Sequence, residues 1–189
     1  MKIAVLALQG AFAEHEKALS ALGAEYIELR QKSDLSLSFD GLILPGGEST
    51  VQGKLLRDLE MLEPLQKQIL EGLPVLGTCA GLILLAKKLV NDPKVHLGTL
   101  PVTVLRNAYG RQLGSFYTVE NILDIGEIPM KFIRAPYITS AEKGVKILAK
   151  TDGKTVAVRY ENQLGLAFHP ELCPDLRLHR YFLNMVKNV

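Results

Sequence analysis

The sequence predicts an α/β fold, a three-layer sandwich in which helices cover both faces of a mainly parallel, open sheet. Through the first half of the chain, short apolar runs alternate with longer segments of helical pattern. Parallel strands need a crossover connection, usually a helix, so this alternation is typical of a parallel sheet. Two glycines, Gly23 and Gly72, fit the left-handed ends of the helices that precede them. At 189 residues, the chain can bury a substantial core.

The first half of the chain is predicted to form regularly alternating elements. Strands are expected where the apolar run is short and continuous, and helices where apolar residues recur at helical spacing. The predicted strands cover residues 3–8, 25–29, 41–44 and 74–77, and the predicted helices cover residues 12–22, 50–62, 64–71 and 82–89.

From Gly98 onward the pattern changes to shorter β-like runs, which favours mixed or antiparallel pairing where the chain leaves the main sheet. These runs lie near residues 100–106, 113–119, 131–134, 145–150, 155–160 and 164–168, and a final helix is predicted over about 175–186. Repeats, low-complexity tracts and linkers are not recognisable, so residues 1–189 are expected to form one domain.

Composition excludes several classes of function. The balance of 22 Lys+Arg against 20 Asp+Glu leaves a formal charge of +2, which argues against a nucleic-acid partner. The apolar run 3–8 is too short for a signal sequence and leads into a helix with acidic residues, so it is interpreted as the first strand. The sequence predicts no membrane-spanning segment. Two cysteines do not require a disulfide framework, and a working thiol fits a reducing cytoplasm.

Cys79 lies in a Gly-x-Cys-x-Gly turn between an apolar strand and an apolar helix, which predicts a nucleophile elbow. Gly77 and Gly81 lack the Cβ that would clash in so sharp a turn. The helix N-terminus favours thiolate over thiol, and the thiolate is the reactive form. The alternative is a buried cysteine acting as a small apolar side chain. Cys173, which precedes Pro174, is expected to be structural or exposed.

A base for this thiol is predicted at the end of the last strand, where the sequence reads FHPE. Pro170 cannot continue a ladder of backbone hydrogen bonds, so the strand stops there. His169 could take the thiol proton and later protonate the leaving group, while Glu171 fixes the orientation of the imidazole. Taken singly, the histidine could cap a strand and the glutamate could be solvated. Together with Cys79, they predict a Cys-His-Glu triad.

A glycine pair, Gly46 and Gly47, follows the third strand and suits an oxyanion hole. The amides of Gly47 and Ala80 could both be directed at the oxygen of a tetrahedral intermediate. A phosphate-binding loop is the competing interpretation, but five residues separate Gly47 from Gly53, where the nucleotide motif needs four. Loops that follow parallel strands converge at one edge of the sheet, which brings this pair near Cys79 and His169.

LPGGEST, GTCAGL and FHPE, in this order, resemble the class I (triad) glutamine amidotransferases. LALQGAFAEH, RNAYGRQ and FIRAPYI narrow the resemblance to the glutaminase subunits of two-protein pyridoxal 5′-phosphate synthases. The resemblance covers nearly the whole chain and implies a flavodoxin-like fold. It also implies hydrolysis of L-glutamine to glutamate and ammonia through a γ-glutamyl thioester, without a cofactor or metal, and transfer of the ammonia to a synthase (lyase) subunit in a large heteromeric complex.

The resemblance assigns further residues to the site. The glutamine-binding residues it implies are Gly46, Gly47, Glu48, Ser49, Arg106, Ile133 and Arg134. An arginine can clamp a carboxylate through two parallel N–H bonds, although surface ion pairing is the alternative for Arg106 and Arg134. Gln9 and Gly10 are expected to contribute to the oxyanion region and to contact the synthase subunit.

Histidines outside the FHPE segment are expected at the surface or in capping positions, because their spacing does not suggest a metal site. They are His15, His96 and His179.

Two other functions remain open at the level of sequence. One is a triad glutaminase that serves a different synthase, for example in histidine or purine synthesis. The other is a non-enzymatic binding protein on the same fold, in which the cysteine senses redox state. The oriented histidine and glutamate argue against the second, because a sensor does not need them.

Overall fold

The computed structural model describes residues 1–90, 92–108 and 114–189. Its main element is a ten-stranded sheet, which confirms the predicted α/β class, and two further strands among the described residues form a separate pair. The strands are β1 (Lys2–Leu6), β2 (Glu25–Leu29), β3 (Gly41–Leu44), β4 (Val75–Thr78), β5 (Ala86–Leu89), β6 (Leu100–Leu105), β7 (Ser115–Ile122), β8 (Gly126–Ile133), β9 (Tyr137–Ala141), β10 (Lys146–Thr151), β11 (Lys154–Tyr160) and β12 (Gln163–Leu166). The helices are α1 (Phe12–Ala21), α2 (Ser49–Asp58), α3 (Leu62–Leu70), α4 (Ala80–Leu85) and α5 (Arg177–Lys187).

The sheet has the order β2-β1-β3-β4-β12-β11-β9-β6-β5, and β10 pairs with β11. Its first five strands are parallel. β11 then pairs antiparallel with β12, β9 and β10, as the change of pattern after Gly98 predicts. β7 and β8 form a separate antiparallel ribbon. The carboxyl ends of β1, β3, β4 and β12 therefore meet at one edge of the sheet.

Helices lie on both faces of the parallel strands, because consecutive side chains of a strand point in opposite directions. In β4, the side chain of Thr78 contacts His15 of α1. A Cβ at the preceding residue, Gly77, would instead lie 2.8 Å from Leu85 of α4. The residues of β3 and β4 are all buried, as expected for strands covered on both faces.

Two predicted helices differ from the structure. The apolar segment predicted as helix 82–89 divides into α4 and β5, and β5 pairs in parallel with β6. Every residue of α4 is buried, so the apolar pattern has no polar face that marks where the helix ends. The predicted helix 50–62 corresponds to α2, which ends at Asp58. Glu60 has a positive φ of 54°, and this turn separates α2 from α3.

Strand β9 was not predicted, and β8 is longer than the run expected at 131–134. The run predicted at 113–119 begins outside the described residues, and from Ser115 it forms β7. Within the described ranges, no helix combines the length and the apolar character needed to cross a membrane.

Candidate active site

Cys79 sits in the sharp turn that joins β4 to α4, with backbone angles φ 48° and ψ −97°. A positive φ is rare for a residue with a side chain and marks a strained turn. The turn packs so closely on β3 that a Cβ at Gly81 would lie 2.0 Å from the carbonyl oxygen of Leu44. Glycine is therefore required at position 81, which is why the elbow can bring Cys79 to the edge of the sheet.

His169 and Glu171 follow β12, the strand that pairs with β4 in the sheet. His169 Nδ1 lies 2.7 Å from Oε1 of Glu171, whose carboxylate is fully buried, and the other side of the imidazole is hydrogen-bonded to Cys79. Burial disfavours the charged imidazole, but the hydrogen bonds with Cys79 and Glu171 together outweigh it and raise the pKa of His169 to about 10. The three predicted triad residues thus form one hydrogen-bonded chain.

The loop of Gly46 and Gly47 packs against the loop after β1. Ala11 donates its backbone N–H to the Gly46 carbonyl over 2.9 Å, and Gln9 Oε1 accepts the N–H of Glu48 over 2.8 Å. Gly10 has a φ of 105°, and a Cβ there would lie 1.9 Å from the Gly46 oxygen. The two loops can approach this closely because Gly10 has no side chain.

A cavity of about 260 Å³ opens beside Cys79. Its wall contains most of the predicted glutamine-binding residues. The lining residues are Gln9, Gly47, Glu48, Ser49, Cys79, Ile83, Arg106, Asn107, Ile133, Arg134 and His169. Gly46 lies just behind this wall, since a Cβ there would be 2.2 Å from His169 Cε1. Ala80 begins α4 directly after Cys79 and is buried. A larger cleft beside Lys32 and Glu60 contains neither predicted triad residues nor Arg106.

The two arginines predicted for glutamine binding both reach this cavity. Arg106 lies 3.3 Å from the carboxylates of Glu48 and Asp92 and 3.0 Å from the hydroxyl of Thr50. It therefore combines the two interpretations of the sequence, ion pairing and a place in the cavity wall. Arg134 follows β8 with a positive φ of 43°, which turns the chain beside Ile133. Part of the RNAYGRQ tract, residues 109–112, lies outside the described residues.

The expectation that His15, His96 and His179 lie at the surface is wrong. His15 and His179 are fully buried and His96 is 7% exposed. His15 contacts His179 at 3.0 Å and Glu171 at 3.5 Å, so it belongs to the surroundings of the triad. Helical periodicity could have placed His15 on the buried face of α1, since Ala18 and Leu19, three and four residues later, are buried as well.

Two other residues of the site were missed. Gln52 is completely buried and donates to the carbonyls of Gln9 and Pro45, which ties the two loops together. Asn107 lines the cavity next to Arg106. Gln52 stands in no pattern with a chemical meaning of its own, and Asn107 belongs to the RNAYGRQ tract but was not assigned a role there, so the spatial arrangement is what identifies both.

Comparison with known proteins places this chain in a family. The model of the SNO glutamine amidotransferase family matches residues 5–188. A protein named pyridoxal 5′-phosphate synthase subunit PdxT from Desulfitobacterium hafniense is 61% identical over 188 residues, which span 100% of this chain and 94% of that protein. A protein of the same name from Streptococcus pneumoniae is 57% identical and covers 99% and 98% of the two chains.

Solved structures agree with the sequence comparison. A crystal structure described as a glutamine amidotransferase superposes with a TM-score of 0.94 at 45% identity and covers 98% of both chains. A structure of PurLQS from Thermotoga maritima has a TM-score of 0.73 at 16% identity and covers 97% of both chains, so it shows likeness of fold alone. The match over residues 5–188 and the identities of 57% and 61% show that this chain belongs to the SNO glutamine amidotransferase family.

Proposed function

We propose that this chain, acting as one domain over residues 1–189, hydrolyses L-glutamine to glutamate and ammonia. The observation that carries the proposal is the hydrogen-bonded chain of Cys79, His169 and Glu171, which reaches the surface of the molecule at the cavity beside Cys79. A nucleophile paired with a base that a third group orients is the arrangement needed for acyl transfer. The experiment that tests it is a glutaminase assay of the purified chain with and without a thiol alkylator.

The proposed reaction follows from the protonation state of His169. Cys79 attacks the side-chain amide carbon of glutamine, and the developing oxyanion is stabilised by the backbone N–H groups of Gly47 and Ala80. His169, whose pKa of about 10 keeps it protonated at neutral pH, donates its proton to the departing ammonia. Water then attacks the γ-glutamyl thioester, with His169 as the base, and releases glutamate. Glu171 keeps the imidazole aligned through both steps.

Glutamine recognition is assigned to the remaining wall of the cavity. The residues proposed to bind the substrate are Gly46, Gly47, Glu48, Ser49, Arg106, Ile133 and Arg134. Arg106 is the proposed partner of the glutamine carboxylate, since its planar guanidinium can form two parallel hydrogen bonds with a carboxylate. In the structure, Glu48 and Asp92 hold it in place at the cavity, and its side chain is 28% exposed.

Arg106→Ala should raise the glutamine KM on the order of tenfold or more, because a charge-assisted contact is worth about 1.5–3 kcal/mol. Lysine at this position should restore the KM only in part, since its ammonium group cannot form the two parallel bonds. The measurement is steady-state glutaminase kinetics. Arg177→Ala, which removes an exposed arginine paired with Asp175 away from the cavity, is the matched control. An unchanged KM in Arg106→Ala would show that Arg106 forms only surface ion pairs and does not bind glutamine.

We further propose that the ammonia goes to the lyase subunit of a pyridoxal 5′-phosphate synthase, for vitamin B6 synthesis in the cytoplasm. The support is that relatives 57% and 61% identical over nearly the whole chain carry the name of a subunit of that enzyme. A glutaminase that serves histidine or purine synthesis has no comparable support, since PurLQS resembles this chain at the level of fold alone. Redox sensing does not explain why His169 and Glu171 are aligned with Cys79.

The proposed docking face carries Gln9, Gly10 and the loop of Gly46, and it contains a possible switch. The peptide between Gly46 and Gly47 is planar, so its N–H points away from the Gly46 carbonyl, which is bonded to Ala11. Moving that carbonyl would turn the Gly47 N–H as well. Glycine allows such a peptide flip at little steric cost, and a partner that contacts Gln9 and Gly10 would favour one orientation.

We therefore expect the rate of glutamine hydrolysis to depend on the lyase subunit. The chain alone should hydrolyse glutamine slowly, and addition of the lyase subunit should raise kcat about a hundredfold or more, which is the value of one well-placed oxyanion donor. The measurement is turnover at saturating glutamine with and without that subunit. The control is the same titration with the Cys79→Ala variant, which should remain inactive. Full activity of the isolated chain, with no response to the subunit, would contradict the switch and leave a constitutive glutaminase.

A further inference from the structure

His15 lies in a fully buried cluster directly behind the proposed triad. Its Nε2 atom is 3.5 Å from Oε2 of Glu171 and 3.2 Å from the hydroxyl of Thr78, and its Nδ1 atom is 3.0 Å from Nε2 of His179. His15, Thr78 and His179 are each 0% exposed. Four elements converge here: α1, β4, α5 and the short helical turn Pro170–Leu172. Buried polar groups in such a cluster must satisfy one another, because water does not reach them.

The two oxygens of Glu171 are not equally satisfied. Oε1 pairs with His169 at 2.7 Å, whereas Oε2 is buried and has no hydrogen bond with any of the described residues. An ionised carboxylate needs donors at both oxygens, and leaving one bare in the protein interior is costly. His15 is the group that the structure places beside this oxygen.

The direction of the hydrogen bonds follows from the arrangement. If His15 carried its proton on Nδ1, the lone pair of Nε2 would face the carboxylate of Glu171, which is repulsive. With the proton on Nε2, His15 donates toward Thr78 and Glu171, and Nδ1 accepts the Nε2–H of His179. The Nδ1 atom of His179, which has no partner among the described residues, is then a bare acceptor. With the proton on Nε2, His15 is hydrogen-bonded to Thr78 and His179, and the same proton lies on the side of Oε2 of Glu171, 3.5 Å from Nε2.

Both histidines of the cluster are neutral at physiological pH. Complete burial, followed by the electrostatic influence of the His179 and His169 imidazoles, holds the pKa of His15 well below its usual range. Burial lowers the pKa of His179 to about 4. A neutral donor fixes the orientation of Glu171 without cancelling its negative charge. That charge remains available to stabilise protonated His169.

We propose that His15 is a positioning residue for the hydrolysis reaction, whose Nε2–H holds the second carboxylate oxygen of Glu171 and thereby keeps His169 aligned with Cys79. The inference rests on the proposed glutaminase function and deepens it, because it adds to the proposed triad a fourth residue that acts through Glu171. His15 does not touch the substrate cavity, since the lining residues do not include it. Its loss should therefore lower kcat and leave the glutamine KM unchanged.

The first experiment compares His15→Gln with His15→Asn in steady-state glutaminase assays. The Gln amide nitrogen can reach the position of Nε2, whereas the shorter Asn amide reaches only that of Nδ1. Both variants keep a polar, neutral side chain, so folding is affected similarly. We expect the Gln variant to stay within a few-fold of wild type and the Asn variant to lose about tenfold to a hundredfold in kcat, as is typical when the group that orients a functional side chain is removed. Equal kcat values in the two variants would overturn the proposal.

The second experiment is a double-mutant cycle with Glu171→Gln. If His15 acts through the Glu171 carboxylate, His15→Asn should lower kcat in the wild-type background and change it little in the Glu171→Gln background. An equal loss in both backgrounds would show that His15 is merely structural. His96→Gln, at another buried histidine whose partner is Arg57, is the control and should leave kcat unchanged.

The proposed function and this inference fail differently. If wild-type protein does not hydrolyse glutamine in a Cys79-dependent manner, the function itself is wrong. If wild type is active and His15→Asn has wild-type kcat, only the role of His15 is refuted.

Discussion

We expect Cys79→Ala to abolish glutamine hydrolysis while the protein remains folded. The substitution removes the sulfur that forms the thioester, and alanine at the start of α4 fits the same small, buried space. Loss of a covalent nucleophile leaves only the contribution of binding and of the oxyanion donors, so kcat should fall by several orders of magnitude, on the order of 10⁶-fold as for the nucleophile of serine proteases. The measurements are glutamate release and the thermal unfolding midpoint.

Cys173→Ala is the matched control for this loss. Cys173 is half-buried, its thiol donates to the backbone carbonyl of His169 over 3.7 Å, and burial raises the pKa of that thiol. A thiol kept protonated is a poor nucleophile, so its removal should change kcat little. Comparable losses in the Cys79 and Cys173 variants would refute the assignment of the nucleophile.

The same assay ranks the other two members of the proposed triad. His169→Asn should be nearly inactive, because the other hydrogen-bond partner of Cys79 among the described residues is the backbone carbonyl of Ile133, which cannot supply a proton to the departing ammonia. Glu171→Gln should be impaired less severely, since its part is to orient the imidazole rather than to transfer the proton. Near-normal turnover in His169→Asn would exclude the triad.

The second large effect is expected at a residue that does no chemistry. Gly46→Ala should lower kcat by about 10²–10⁴-fold, the range for loss of a general acid–base group, because the added methyl would lie 2.2 Å from Cε1 and 2.6 Å from Nδ1 of His169. Two heavy atoms cannot approach so closely, so the imidazole must leave its position between Cys79 and Glu171. The thermal unfolding midpoint should fall only modestly, since one side chain moves and the sheet is retained.

Gly153→Ala provides the control for Gly46→Ala. Gly153 lies in the turn between β10 and β11, and a Cβ there would meet nothing within 4 Å. Its φ of 74° makes alanine strained, so this variant should be slightly less stable and fully active. Wild-type kcat in Gly46→Ala would show that His169 does not need the space the glycine leaves open.

Much of the site is local in sequence, and this explains why it could be predicted. The turn around Cys79 needs a glycine at position 81 because the backbone of β3 lies against it. The Gly-x-Cys-x-Gly segment therefore indicates the sharp turn from the sequence alone. The last strand ends at Leu166, earlier than Pro170, and Pro170 begins the short helical turn in which His169 and Glu171, two residues apart, bond to each other. The alternation of strands and helices likewise predicts that β3 and β4 are buried on both faces, as they are in the structure.

Other features depend on pairing between distant segments. The all-apolar run after Cys79 is compatible with helix or strand, and contact with β6 decides that residues 86–89 become β5. His15 stands 156 residues before Glu171 and 164 residues before His179 in the sequence. A polar residue on a helix is ordinarily solvated, but His15 is buried against Thr78 of β4, His179 of α5 and Glu171 in the turn after β12.

The sequence by itself thus determined the α/β class, the family resemblance, and the proposed triad of Cys79, His169 and Glu171, because each follows from local backbone requirements or from short motifs. The tertiary structure alone decided which polar side chains share the triad's environment. It buried His15 and His179 behind Glu171, and it placed Arg106 between Glu48 and Asp92 at the cavity wall. The physical reason is that desolvation and hydrogen bonding depend on what surrounds a group in space, and those neighbours come from segments far apart along the chain.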